Sequence, residues 1–108
     1  MIDLTQLKNT TVRLAIEALQ EGNKEKWFGL FETNATLFDD GRQISFRPFF
    51  QTALGRERFT SIDKIENNGL HVFGHFHSDQ WGDFKTFFKF HITQSNRITK
   101  LEIGQAKY

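Results

Sequence analysis

Four histidines, His71, His75, His77 and His91, crowd into one stretch of a 108-residue chain. Imidazole changes charge near neutral pH and is the commonest metal ligand, so this is the first place to look for chemistry. His75 and His77 are two residues apart, about 6.7 Å along one face of a strand, a spacing at which two imidazoles can chelate zinc. No third ligand is evident, because Lys85 and Phe87 are the expected neighbours across the hairpin, and no metal centre is predicted. Two other readings stay open: a solvated sheet face and a protein interface. The absence of cysteine excludes a disulfide framework and a thiolate nucleophile or metal site. There is no phosphate-cradling glycine loop, nucleophile elbow or nucleotide fingerprint, and no cofactor is expected.

Charge narrows the partners. Fourteen Lys and Arg stand against 13 Asp and Glu, a formal net charge of +1 with the basic residues scattered. Binding driven by phosphate neutralisation has little support, so no nucleic acid is expected. No apolar run approaches the ~18 residues of a membrane span. The start, Met1-Ile2-Asp3-Leu4, lacks the basic-then-apolar pattern of a secretion leader. The expectation is one cytoplasmic domain over residues 1–108.

The elements that must position these groups follow from periodicity. Leu4, Leu7, Thr11, Leu14, Ala15, Ala18 and Leu19 recur at three- and four-residue steps, predicting a helix over residues 3 to 21 with Gly22 as its stop. Asn23 caps a second helix carrying Trp27, Phe28, Leu30 and Phe31, ended by Asn34. Residues 35 to 38 read as a short strand running into the turn Asp39-Asp40-Gly41. A third helix covers 46 to 54, with Pro48 tolerated in its first turn. From Arg56 the period becomes two, and four strands are predicted at 57 to 67, 70 to 78, 83 to 93 and 97 to 105. Arg56-Glu57-Arg58 reads as solvated or cross-strand charge. The fold class is α+β, three N-terminal helices packed on a curved, mainly antiparallel sheet. Thirteen Phe, two Trp and one Tyr make its core aromatic.

Alternation then sorts the long hairpin by face. Phe84, Phe88, Phe90 and Ile92 mark the buried side, matched by Leu70, Val72 and Phe76. The other face carries His71, Phe73, His75, His77, Lys85, Phe87, Lys89 and His91. Phe73 and Phe87 among histidines are unusual for a monomer's surface. The preferred reading is a homodimer interface on this outer face, with imidazoles that resist protonation beside Lys85 and Lys89, so that acid weakens the dimer.

The order of helix, Gly22-Asn23, aromatic second helix, Asn34-Ala35-Thr36-Leu37-Phe38-Asp39, short helix and long hairpins, with Arg97-Ile98 opening the last strand, resembles the nuclear transport factor 2-like (SnoaL-like) superfamily over essentially the whole chain. That resemblance implies a cone with an apolar pocket at its open end, and often a dimer. It also implies a role for Asp39, because the family's steroid isomerases use an Asp at the end of the equivalent segment as general base. An aromatic cavity raises such a carboxyl's pKa by desolvation. The plainer reading is that Asp39 or Asp40 bonds nearby turn amides. Ala15 and Phe88 stand where those isomerases carry oxyanion donors, so that chemistry is not expected. If Asp39 lines a pocket, its neighbours should be Trp27, Phe31, Phe50, Phe88 and Phe90, which a packed core would also use. Trp81, in the turn Asp79-Gln80-Trp81-Gly82, is placed to cap the dimer, the cone mouth or its own hairpin. The functional expectation is a dimeric domain that binds a small hydrophobic ligand or acts without catalysis. The alternative is a small-molecule isomerase, dehydratase or hydrolase using Asp39 as base.

Overall fold

The computed structural model describes residues 2–108; Met1, the first residue of the segment read as lacking a leader, lies outside them. Helix α1 runs Thr10–Glu21, α2 Lys24–Gly29 and α3 Phe46–Ala53. The strands are β1 (Phe31–Asp39), β2 (Arg42–Ile44), β3 (Glu57–Phe59), β4 (Lys64–Glu66), β5 (His71–Ser78), β6 (Gly82–Ile92) and β7 (Ile98–Gln105). They form one mixed sheet in the order β2-β1-β7-β6-β5-β3, with β4 also on β5. The fold is α+β as expected. The expected short strand and four longer ones need correction, because the sheet has seven strands and β1 joins β7 in parallel.

Each departure has a local cause. The first helix starts at residue 10, not 3, because Asn9 caps it, its side chain accepting from the Val12 N–H at 3.0 Å. Upstream, the Asp3 carboxylate accepts from the Thr5 N–H and hydroxyl, and a turn bonds Leu7 N–H to the Leu4 carbonyl. Short polar side chains thus offer the backbone an alternative to helix. Leu7 still reaches the core, which is why the helical period extended through it. The second helix ends at Gly29, and Phe31 belongs to a strand. There the Ile98 N–H bonds the Leu30 carbonyl at 2.9 Å, and the Arg97 guanidinium reaches the Gly29 and Phe31 carbonyls. Asp40 and Gly41, with φ of 49° and 86°, make the two-residue hairpin turn that adds β2.

The strand predicted over 57 to 67 is broken into β3 and β4. Thr60 and Ser61 both direct their N–H groups at the His75 carbonyl, at 2.8 and 3.4 Å. This bend brings the Ser61 carbonyl over Gly74, where a Cβ would lie 2.0 Å from it. Gly22 has a second special position: at φ 66° it ends α1 and packs against Gly55. The core between helices and sheet is filled with rings. Trp27 lies between Phe31 and Phe50, at centroid distances of 4.9 and 4.6 Å, and Phe59 meets Phe76 and Phe88 at 5.1 Å each. The Trp27 indole N–H is buried without an acceptor among the described residues, which costs on the order of 1–3 kcal/mol. Among the described residues no helix is long and apolar enough to cross a membrane.

Because the atom opposing Gly74 is backbone, no side-chain rotation can relieve a clash there. Gly74→Ala is expected to cost about 1–3 kcal/mol in urea unfolding, through displacement of the bend. An unchanged midpoint would show that the 60–63 segment yields freely.

Candidate functional site

Asp39 ends β1, and the parallel pairing sets it beside Ile103 of β7. Around it opens a cleft of about 370 Å³, bounded by α3, β3, β6, the end of β7 and the β5–β6 turn. Its apolar wall is Phe49, Phe76, Phe84, Phe88, Ile103 and Trp81, and its carboxylates are Asp39, Asp40, Glu57 and Asp83. Among the described residues no Lys, Arg or His lines it.

Asp39 and Asp40 play different parts. Asp40 accepts from the Gln105 N–H at 3.2 Å and donates its own N–H to the Ile103 carbonyl at 2.9 Å, so it fastens the turn to β7. Burial raises the Asp39 carboxyl above its ordinary value, the negative Asp40 beside it adds to the effect, and no hydrogen bond from the described residues offsets it. Glu57 is also raised. Burial is the main cause, the Ser78 hydroxyl opposes it by donating to Oε2 at 2.9 Å, and the charges of Asp39 and Asp79 push further up. The charge of Asp39 therefore disfavours ionisation of Glu57 across one cleft.

Of the residues expected around Asp39, only Phe88 lines this cleft. Trp27, Phe31, Phe50 and Phe90 are at most 2% exposed and are packed into the core. Ring interlocking explains the division: Trp27 needs Phe31 and Phe50 on its two flanks, and that leaves Phe49, in contact with Phe50 at 4.9 Å, to face outward. Ala15 is fully buried, outside the cleft lining, and the Thr86 hydroxyl is spent on the Gly104 carbonyl at 2.7 Å. Glu57 is the group missed in reading Arg56-Glu57-Arg58 as solvated or cross-strand charge. The available signal was strand alternation: Glu57 shares a face with Phe59, which is 1% exposed.

The outer face groups the residues expected on it, but the neighbour of His77 across the hairpin is Asp83, not Phe87. His71 opposes Lys89, Phe73 opposes Phe87 and His75 opposes Lys85. The premise that all its imidazoles resist protonation needs correction. His75 meets Asp63 at 2.7 Å, His77 meets Asp83 and Asp79 at 2.7 and 3.0 Å, and His91 meets Glu102 at 2.7 Å. Hydrogen bonds that His77 donates to Asp83 and Asp79 raise it, whereas burial, then Lys89 and His91, lower His71. Phe73 is half-buried and covered in part by Tyr108, whose ring lies 6.2 Å away and whose hydroxyl donates to Asp63 at 2.6 Å. Among the described residues no group of three or more His, Asp or Glu is arranged to hold a metal.

Solved structures identify the class. A nuclear transport factor 2-like protein of unknown function from Cytophaga hutchinsonii superposes with a TM-score of 0.71 at 13% identity, over 98% of this chain and 92% of that one. A cystatin-like protein of unknown function from Xanthomonas campestris gives 0.71 at 10% identity, over 90% and 88%. The Anabaena (Nostoc) orange carotenoid protein, in a structure binding canthaxanthin, gives 0.70 at 16% identity over 89% of this chain; the match spans only 35% of that longer chain. No protein-family model matches the sequence, and no curated protein does. The chain has the nuclear transport factor 2-like, cystatin-like α+β fold.

The raised Glu57 has a checkable consequence. Its ionised form is the one the fold disfavours, so its contribution to stability is present below the ordinary value of 4.5 and is lost as pH rises through the higher folded value. Glu57→Gln keeps an oxygen for the Ser78 hydroxyl and removes the charge. Its melting temperature at pH 7 should exceed wild type by a few degrees, with the gain vanishing well below pH 4.5. A variant less stable at pH 7 would mean that Glu57 is a structural anchor.

Proposed function

We propose that this chain is a small-molecule-binding domain whose ligand occupies the Asp39–Glu57 cleft. The observation that carries the reading is the pair of desolvated carboxylates set in an aromatic wall, with no cation among the described lining residues. Two half-buried acids repelling each other cost stability, and a ligand that donates hydrogen bonds to them relieves that cost. The ligand is therefore small and mostly apolar, with one or two hydroxyl or amine donors. A volume of about 370 Å³ is at the small end for ligand pockets. In the cone geometry of similar proteins the cleft would be the open mouth. The structurally similar carotenoid protein that binds canthaxanthin accords with a fold able to hold an organic ligand. A cytoplasmic site of action belongs to the same proposal.

A crystal structure of protein taken straight from cells tests this, with calorimetry against aromatic amines and alcohols. Density in the cleft, or binding weakened about tenfold or more by Asp39→Asn, is expected. A cleft holding only water, with no heat from either class of compound, would remove the reading.

One observation favours acid–base catalysis as a second reading: the Asp39 carboxyl is raised and free of hydrogen bonds from the described residues. Positioned general bases contribute roughly 10²–10⁴-fold, so any turnover found should fall by that order in Asp39→Asn. Undiminished turnover would take Asp39 out of the mechanism.

The outer sheet face is proposed as a homodimer interface comprising His71, Phe73, His75, His77, Lys85, Phe87, Lys89 and His91. Tyr108 already shields Phe73, so the centre of the contact is placed nearer Phe87, His71 and His91. Lowered His71 and raised His77 act in opposite directions on acidification, so pH is a poor probe of the assembly. Substitution is a cleaner one. Wild type should sediment as a dimer and Phe87→Glu as a monomer, and a wild type still monomeric at about 100 µM would exclude it.

A further inference from the structure

The turn between β5 and β6 stands apart from the rest of the cleft wall. Its tip residue, Trp81, is 72% exposed, although it lines the cleft. Together with Phe49 and Glu57 it also borders a second hollow of about 450 Å³, so the indole has open space on two sides. Beneath it, Ser78 is 1% exposed and makes three bonds. Its hydroxyl donates to Glu57 Oε2 at 2.9 Å and accepts from the N–H groups of Gln80 and Trp81, at 3.2 and 3.1 Å. One hydroxyl thus joins a cleft carboxylate to the backbone of the tip. The base of the turn is held separately, by the Asp79 N–H on the Arg56 carbonyl at 3.0 Å.

We propose that Trp81 is a ligand-responsive lid, coupled to the cleft through Glu57 and Ser78. The proposal rests on the cleft reading above and names the element that moves when the cleft fills. A hydroxyl that donates to a half-buried carboxylate is polarised, and it accepts more strongly from the turn N–H groups. A ligand donor that engages Glu57 draws electron density from that carboxylate, weakens the Ser78 bond and loosens the tip. An apolar ligand body in the cleft then gives the exposed indole a surface to cover. An ammonium group adds attraction to the indole face. Empty, the lid is held outward by Ser78; occupied, it closes.

Benzylamine and benzyl alcohol serve as probes, with calorimetry to establish binding and acrylamide quenching of tryptophan emission to read the lid. Trp27 is fully buried, so quenchable emission belongs to Trp81. Saturating probe should reduce the quenching constant by about half or more, and Trp81→Ala should weaken binding about tenfold. In Ser78→Ala the tip is already loose but has no ligand to cover, so its quenching should stay high without probe, and less probe should suffice to lower it. Binding heat with unchanged Trp81 quenching in wild type would overturn the lid and leave the cleft reading standing. No heat from either probe would overturn both. The wild-type measurement needs no variant, so a Ser78→Ala chain that fails to fold leaves the test intact.

Discussion

The structure depends on one long-range constraint, the parallel pairing of β1 with β7. It places Phe31 opposite Ile98 at one end and Asp39 opposite Ile103 at the other. The first end pulls Phe31 out of the preceding helix and against Trp27, which organises the aromatic core. The second sets Asp39 at the cleft and lets Asp40 bond the Gln105 N–H. A parallel pair needs a long crossover, here residues 40–97, about half the chain, so this contact carries a large loop-closure entropy and is slow to form. Core and cleft are thus two consequences of one pairing.

The cleft shows how such a fold carries local costs. Glu57 and Asp39 are held where burial disfavours the charge of both, and Trp27 buries a donor unpaired among the described residues. The two costs differ in kind. The Trp27 donor is enclosed by rings and closed to solvent. The carboxylates face open space, where an incoming molecule can offset the penalty. Unrelieved polarity at an accessible wall is a more informative sign of function than the same polarity in a sealed core.

Much of this was legible in the residues, and the exceptions have identifiable reasons. Period-two alternation placed Phe84, Phe88 and Phe90 inward and the four histidines outward, because a sheet with one buried face fixes its register. The start of α1 was misread because Leu4 and Leu7 keep helical spacing while a turn delivers them to the core. Phe31 was misassigned because its strand partner, Ile98, is remote in sequence. The candidate site was half visible. Asp39 stood out at a turn after an apolar strand, but Glu57 was masked by flanking arginines. The choice between Phe49 and Phe50 as the cleft-facing ring depended on how Trp27 packs, which spacing alone does not encode.

The sheet's margins bear on how the protein keeps its own company. One border is β2, three residues long, and the other is split into β3 and β4, three residues each, by the bend over Gly74. The split border offers no long straight row of free N–H and C=O groups to a passing strand, and β2 covers Leu37, Phe38 and Asp39 of β1 at the other. Open-ended stacking of copies through their rims, the route to fibres, is thereby blocked at the split side. A sheet this rich in phenylalanine is safeguarded by brevity where it is most adhesive.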